Sequence, residues 1–197
     1  MSPTLLEEIP IAAESEIGPL TRADYERLPD EPRCELIYGR LYVSPSPSPL
    51  HQVVTQFLGR LIDDIALAHG GLSLIAPMDV HLALHSVAQP DVLYLSRGRR
   101  ALVGRGVEGA PDLAVEVISP GTARRDRGEK LRLYAETGVG ELWLVDPAER
   151  QVEFLVNENG RFVVTLPTGK DYRSPRLPEL ELDLVHLWAE VDRRLPG

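Results

Sequence analysis

A short apolar run near the middle of the chain sets the strongest limit on what it can fold into. The run Asp112–Ile118 is almost continuously apolar, which is typical of a strand buried on both faces in the centre of a sheet. Glu116 interrupts it, and strand alternation places this side chain on the face of Ala114 and Ile118. An unpaired carboxylate is costly to bury, so Glu116 must be neutralised, paired with a cation or bound to a metal.

The segments around this run predict an α/β fold, with α+β character in the mixed order of its elements. Apolar residues recur with helical spacing from Leu50 to His69, and two glycines follow. Other helices are predicted from Thr21, over residues 121–137, and at the end of the chain to about Arg193. Strands are predicted at residues 34–38, 41–43, 72–75, 78–84, 91–95, 112–118, 141–145, 151–156 and 161–166. We therefore expect one central mixed β-sheet flanked by helices on both faces.

The bulk properties of the chain predict a single domain. With 197 residues we expect one domain over residues 21–193, after a loosely ordered lead-in of residues 1–20. The one cysteine, Cys34, excludes an internal disulfide and a cysteine-based zinc site. No apolar stretch approaches the roughly 18 residues that mark a membrane-spanning helix, and the N-terminus lacks a signal-peptide pattern. We therefore expect no membrane contact and a cytoplasmic location.

The charge distribution gives two opposed indications about nucleic acid. A net charge of −9 argues mildly against a phosphate-binding protein, which usually has a basic surface. The segment from Arg97 to Arg132, however, holds nine Lys or Arg and five Asp or Glu, a net charge of +4. This basic island is either a local phosphate-binding face or a set of solvated arginines, and Arg124 and Arg125 within it are the candidates for binding a substrate.

Two further polar residues are predicted to lie near Glu116. Asp91 follows Pro90, which cannot donate to a central ladder, so Asp91 should stand at the mouth of its strand. If that strand neighbours the one carrying Glu116, the two carboxylates converge, and a divalent cation would relieve their repulsion. Lys130 lies in the apolar arc of the following helix, beside Tyr134, and is expected to point towards Glu116.

Each of these residues also has a structural explanation. Glu116 and Lys130 can form a buried ion pair that only neutralises the two charges. Lys130 can instead form an exposed pair with Asp126, one helical turn away, which would contribute about 0.2–0.5 kcal/mol. The residues alone leave the structural and the functional explanations open.

Several short motifs follow one another in a specific order. They are Glu35-Leu-Ile-Tyr-Gly-Arg, Ser44-Pro, His51 at the start of the long helix, Gln89-Pro-Asp-Val, Pro111-Asp-Leu-Ala-Val-Glu-Val-Ile-Ser-Pro, Asp126-x-x-x-Lys130-x-x-x-Tyr134, Gly138-Val-x-Glu-Leu-Trp-Leu-Val-Asp-Pro and a closing Leu-Pro-x-Leu-x-Leu-Asp-Leu. This set covers roughly residues 20–187 and resembles the Uma-two family of restriction-endonuclease-like proteins, within the PD-(D/E)XK nuclease superfamily. The resemblance implies a restriction-endonuclease-like core.

The resemblance also implies a role for individual residues. Asp91 and Glu116 would bind magnesium, with manganese as the alternative, aided by the backbone carbonyl of Ile118. Lys130 would orient or activate the attacking water, Glu35 would be an additional acid, and His51 would lie near a substrate phosphate. The superfamily pattern has a lysine two residues after the acid, where this chain has Ile118, so Lys130 must replace it from the helix.

The function implied is a magnesium-dependent endonuclease that hydrolyses phosphodiester bonds. DNA is the expected substrate, RNA is not excluded, and a homodimer is expected because cutting both strands needs two sites. One alternative is a binding or assembly module that keeps the fold and uses Glu116 and Lys130 as a structural pair. Another is a hydrolase for a different phosphorylated substrate.

Overall fold

The computed structural model describes residues 17–119, 121 and 123–195, without the side chain of Arg124. Within these residues the helices are α1 (Arg22–Tyr25), α2 (Pro49–Ala68), α3 (Ala123–Arg125), α4 (Leu131–Thr137) and α5 (Leu184–Arg194). The strands are β1 (Cys34–Ile37), β2 (Arg40–Val43), β3 (Leu72–Ile75), β4 (Val80–Ala83), β5 (Ser86–Ala88), β6 (Val92–Leu95), β7 (Val107–Glu108), β8 (Leu113–Val117), β9 (Glu141–Asp146), β10 (Gln151–Glu158), β11 (Arg161–Thr165), β12 (Asp171–Arg173) and β13 (Glu181–Asp183). Residues 1–16, most of the predicted lead-in, lie outside the described part.

A six-stranded mixed sheet forms the centre of the fold. Its strand order is β11-β10-β9-β8-β6-β3, in which β8 and β9 run parallel and the other neighbours run antiparallel. β8 therefore occupies an interior position, and all five of its residues are buried. The mixed α/β class expected from the sequence is confirmed.

The expectation of one sheet was wrong, because a second sheet accompanies the central one. It has five strands in the order β2-β1-β5-β4-β7, and a two-stranded ribbon pairs β12 with β13. β5 lies between the hairpin of β1 and β2 on one side and β4 on the other. It has only three residues, Ser86 to Ala88, so the strand is too short to show a periodic sequence pattern. Strands that the sequence assigns to one sheet are thereby divided between two.

Helices cover both faces of the central sheet. Val115 and Val117 of β8 pack into the core cluster that contains α2 and α5, whereas Ala114 packs into the cluster that contains α4. The alternation expected for β8 is therefore present, with Glu116 on the α4 side. Gly138 ends α4 in the left-handed conformation, with φ of 87°.

The long helix α2 runs along this sheet from one end of the strands to the other. Ser48 is its N-cap and accepts a hydrogen bond from the backbone of His51, and Pro49 occupies the first helical position. Its buried face carries Val54, Leu58 and Ile62 against the sheet. Twenty residues give a helix about 30 Å long, so its two ends lie beside different ends of the strands.

A π-helical turn, Asp126–Lys130, lies between α3 and α4. The sequence predicts uninterrupted helix over residues 121–137, and the structure instead inserts this wider turn. Its two buried residues are Asp126 and Lys130. π-turns of this kind are rare and occur frequently at functional sites.

The basic island of residues 97–132 does not form one surface. Asp91 precedes β6, whereas a 3₁₀ helix, Arg97–Leu102, follows its other end. Arg97 lies beside Gly70, at the C-terminal end of α2, far from the N-terminal end of that helix. Of the two explanations of the basic island, a single phosphate-binding face is therefore excluded, because β6 places Arg97, Arg99 and Arg100 at the opposite end of the sheet from Arg125.

Candidate active site

Asp91 and Glu116 lie at the same end of neighbouring strands. β6 and β8 are antiparallel, with Val92 opposite Val115, so Asp91 precedes β6 where β8 approaches its end. The Oδ2 atom of Asp91 accepts a hydrogen bond of 2.7 Å from the backbone N–H of Val117. The carboxylate thus satisfies a backbone donor at the end of β8, and this contact fixes its position beside Glu116.

Lys130 reaches Glu116 from the helix. Its Nζ lies 2.6 Å from Oε1 of Glu116 and 2.9 Å from Oε1 of Glu35, and 4.0 Å from Oδ1 of Asp126. Only 2% of the lysine is exposed. Lys130 therefore points towards Glu116 from the π-turn, in the direction that its place in the apolar arc of the helix predicts.

Glu35 links Lys130 to two other residues. Its Oε1 also accepts a hydrogen bond of 2.8 Å from the backbone N–H of Gln89, and its Oε2 lies 3.3 Å from the guanidinium of Arg125. The guanidinium carbon of Arg125 lies over the ring of Tyr42, 5.4 Å from the ring centre. The buried Nε atom of Arg125 has no hydrogen-bond partner. The side chain of Arg124, the other arginine singled out by sequence, lies outside the described residues.

Tyr134 is a site residue whose hydrogen bond the sequence did not predict. Its hydroxyl donates a hydrogen bond of 2.5 Å to Oε1 of Glu116, one helical turn after Lys130. Burial raises the pKa of Tyr134 well above its ordinary value, and the charge of Glu116 raises it further. Tyr134 therefore remains a proton donor to the carboxylate at all physiological pH values.

The electrostatics of Glu116 and Lys130 are coupled. Burial raises the pKa of Glu116 well above its ordinary value; the charge of Lys130 lowers it, and the neighbouring carboxylates raise it further. Burial alone would lower the pKa of Lys130, but Glu116, Glu35 and Asp126 raise it by more. Lys130 is consequently a permanent cation at this site and cannot serve as a proton acceptor at neutral pH.

The cluster is rich in carboxylates. Four of them converge there, and they belong to Glu35, Asp91, Glu116 and Asp126. The permanent cations beside them, among the described side chains, are Lys130 and Arg125. Carboxylates held this close together repel one another when they are ionised, and a divalent cation would relieve that repulsion.

His51 lies at the mouth of the cluster, in the first turn of α2. Its Nε2 atom is 3.3 Å from Oδ2 of Asp91, and its Nδ1 atom is 3.4 Å from Oγ1 of Thr55. Burial lowers the pKa of His51, but the hydrogen bond and charge of Asp91 raise it by more, with a smaller contribution from the backbone of Val117. His51 therefore lies with the carboxylate cluster and lines the same cavity.

A cavity of about 700 Å³ opens onto these groups. Its lining includes the cluster and a polar wall from α2 and the preceding Ser/Pro loop, and the residues that decide its chemistry are Glu35, His51, Asp91, Glu116, Arg125 and Lys130. The structure does not bring Ile118 into it. Val117 and Ser119 line the cavity, whereas the Ile118 side chain packs into the α4 core.

The carboxylate groups at this site are of the kind that bind a hard divalent cation. Among the described residues, no three His, Cys, Asp or Glu side chains are placed to hold a metal ion by themselves. Magnesium commonly binds through only one or two carboxylates and completes its shell with waters and substrate phosphates. Asp91 and Glu116, with the other carboxylates that line the cavity, fit that mode of binding.

The mixed sheets and the end-of-strand carboxylate cluster define the class of restriction-endonuclease-like proteins. Residues 22–185 match the family model Uma2, described as "Putative restriction endonuclease", and the chain belongs to that family. A solved structure from Anabaena variabilis ATCC 29413, described as "a putative nuclease belonging to DUF820", is similar, with a TM-score of 0.74 and 20% sequence identity. The match covers 88% of this chain and 99% of that one. No curated protein matches the chain.

The helices of the described residues were also compared with what a bilayer requires. None of them is both long enough and apolar enough to span a membrane.

Proposed function

We propose that the protein is a metal-dependent endonuclease that hydrolyses phosphodiester bonds. The observation that carries the proposal is the position of Lys130, which comes from a different element and meets Glu116 and Glu35 beside Asp91 in an open cavity. Membership of the Uma2 family supports it. DNA is the proposed substrate and RNA the alternative, and the proposed assembly is a homodimer in the cytoplasm.

Asp91 and Glu116 are the proposed ligands of the cation, with magnesium first and manganese as the alternative. The carbonyl of Val117 replaces that of Ile118 in this proposal, because Val117 lines the cavity. When bound, a divalent cation polarises the scissile phosphate and lowers the pKa of a coordinated water. The chain's own residues supply the remaining functions.

Lys130 provides a fixed positive charge next to the reacting phosphate. Since its pKa is raised, it acts by electrostatic stabilisation and by orienting the attacking water, not by accepting a proton. Glu35 and Tyr134 are positioning residues: Glu35 holds Lys130 in place, and Tyr134 holds Glu116. Arg125, whose buried Nε atom has no hydrogen-bond partner, is the proposed contact to a substrate phosphate.

One alternative keeps the fold without catalysis. The buried pair of Glu116 and Lys130, at 2.6 Å, is the contact that a structural role would need. A structural pair, however, requires one carboxylate for one lysine, whereas four acids surround two cations here. The excess of acids and the open cavity favour the nuclease.

The test measures cleavage of plasmid DNA and of a structured RNA with Mg²⁺ or Mn²⁺, using wild type, Asp91→Ala and Glu116→Gln. Loss of cleavage by about 10²-fold or more in both variants, with unfolding transitions close to wild type, is expected. Glu141→Gln is the matched control, because it alters a buried glutamate outside the cavity. Absence of metal-dependent cleavage in the wild type, together with a strongly destabilised Glu116→Gln, would establish the structural alternative instead.

A further inference from the structure

The position of His51 relative to Asp91 points to more than a substrate contact. The Nε2 atom of His51 and the Oδ2 atom of Asp91 are 3.3 Å apart, and each side chain remains about one-sixth exposed, at 16% and 17%. Both residues line the cavity. Two ligands in adjacent positions on an octahedral cation, each about 2.1 Å from it, lie about 3 Å apart. The observed separation fits that arrangement.

The other ring nitrogen of His51 also has a partner. Nδ1 lies 3.4 Å from Oγ1 of Thr55, which is one helical turn further along α2 and largely buried. Histidines that bind metals through one nitrogen almost always use the other for a hydrogen bond that fixes the orientation and tautomer of the ring. Thr55 is placed to accept that hydrogen bond when Nε2 is free of its proton.

The third group at this point is the backbone of Val117. Its N–H donates to Asp91, and Val117 lines the cavity together with His51 and Asp91. A carboxylate and an imidazole therefore meet at the end of β8.

We infer that His51 binds the catalytic cation directly through Nε2, beside Asp91. This inference rests on the proposed function, because it adds a ligand to the proposed metal site. Imidazole nitrogen favours first-row transition metals, whereas sites made only of carboxylates, carbonyls and waters suit Mg²⁺. With His51 as a ligand, the site selects a transition-metal dication such as Mn²⁺ over the Mg²⁺ that the carboxylates alone would favour.

The experiment uses the full chain and the metals alone. Mn²⁺ and Mg²⁺ are titrated calorimetrically into wild type, His51→Gln, His69→Gln and Asp91→Asn, and pulsed electron paramagnetic resonance of bound Mn²⁺ records coupling to imidazole nitrogen. His69 is the matched control, because it lies at the opposite end of the same helix, near Glu179. Wild type labelled with ¹⁵N only in histidine identifies the coupled nitrogen without any mutation.

The expected result is imidazole coupling in wild type and His69→Gln, and none in His51→Gln. His51→Gln should weaken Mn²⁺ binding by about tenfold or more, with a smaller effect on Mg²⁺. Mn²⁺ that binds in an Asp91-dependent manner without imidazole coupling would overturn the inference and leave the proposed metal site intact. Failure of the wild type to bind either metal would overturn both. If His51→Gln does not fold, the histidine-labelled chain is compared with and without Asp91→Asn, because His51 is the only described histidine that lines the cavity with Asp91. Histidine coupling that disappears in Asp91→Asn supports the inference, and coupling that persists overturns it.

Discussion

Two buried glutamates on neighbouring parallel strands have contrasting surroundings. Glu116 lies near the end of β8 on the α4 side, and Glu141 begins β9 on the opposite face, where its neighbour Trp143 packs against α2 and α5. Glu116 is contacted by Lys130 and borders a cavity with three other acids. Glu141 is fully buried and lies outside that cavity.

The donors to Glu141 are neutral and numerous. Trp143 Nε1 donates at 2.5 Å, Tyr172 OH at 2.9 Å and Ser174 Oγ at 2.6 Å. These bonds fasten the segment after β11 to the central sheet, so Glu141 has a structural function. A buried carboxylate alone therefore does not identify a site. What sets Glu116 apart from Glu141 is the group of carboxylates around it and the cavity that they line.

The largest effect is expected when the charge of Lys130, the cation that contacts Glu116, is removed. Lys130→Met leaves Glu116 buried without its cation and Glu35 with Arg125 alone, and it should destabilise the fold by about 3–5 kcal/mol, as removal of one partner of a buried pair usually does. Urea unfolding measures this effect. Arg150→Met, which breaks an exposed pair with Asp192, is the control and should change stability by less than about 1 kcal/mol. Equal losses in the two variants would contradict the burial argument.

The second test exchanges carboxylate for amide at both glutamates. Glu141→Gln should cost about 1–3 kcal/mol, because an amide has one acceptor oxygen where the carboxylate serves donors with two. Glu116→Gln should change stability by less than about 1 kcal/mol, since it removes a charge that burial disfavours. Thermal unfolding of both variants under the same conditions measures the contrast. A larger loss for Glu116→Gln would reverse the assignment of roles.

A smaller effect is expected from the tyrosine that contacts Glu116. Tyr134→Phe deletes one hydrogen bond of 2.5 Å and should lower stability by about 0.5–1.5 kcal/mol. Cleavage should fall by less than in Glu116→Gln, because the carboxylate and Lys130 remain. Kinetics and unfolding on the same preparation check this, with Tyr172→Phe as the equivalent deletion at Glu141. A cleavage loss as large in Tyr172→Phe as in Tyr134→Phe would remove the distinction between the two sites.

The smallest effect is expected for Arg99, which lies at the opposite end of the sheet from Arg125. Arg125→Ala should weaken binding of a DNA duplex by about 1–2 kcal/mol, as loss of a charge-assisted contact does. Arg99→Ala should leave binding almost unchanged, because this side chain bonds the carbonyl of Ala110, at the other end of β6. Fluorescence anisotropy with catalytically inactive Asp91→Ala as the background measures both. Equal weakening would restore the basic island as one binding surface.

The sequence predicted the parts of the site that depend on short-range pattern. Glu116 was conspicuous because it interrupts an apolar run, and the helical wheel directed Lys130 towards it. Glu141 went unnoticed because it stands at the start of its strand, where a charged residue looks ordinary. Two of its hydrogen-bond donors are Tyr172 and Ser174, which lie more than 30 residues later in the chain. Contacts between residues so far apart leave no local sequence pattern.

The fold was predictable to a similar extent. The long helix, the buried strand and the family were all evident, because each depends on periodicity or on motifs in order. The second sheet, the pairing of β12 with β13 and the π-turn depend on long-range pairing or on one shifted backbone hydrogen bond. The basic island is divided because of the direction in which β6 runs, and a count of charged residues carries no information about that direction.

The π-turn that carries Lys130 determines how this charge cluster would respond to the deletion of one residue. A π-turn is equivalent to one extra residue in an α-helix, and each residue of an α-helix rotates the chain by about 100°. Deleting Gly128, in the middle of the turn, would let α3 and α4 join as regular helix, with Asp126 three residues before Lys130 instead of four and therefore displaced around the helix axis. A single in-frame codon deletion could thus produce a folded descendant with an intact core and an altered charge cluster.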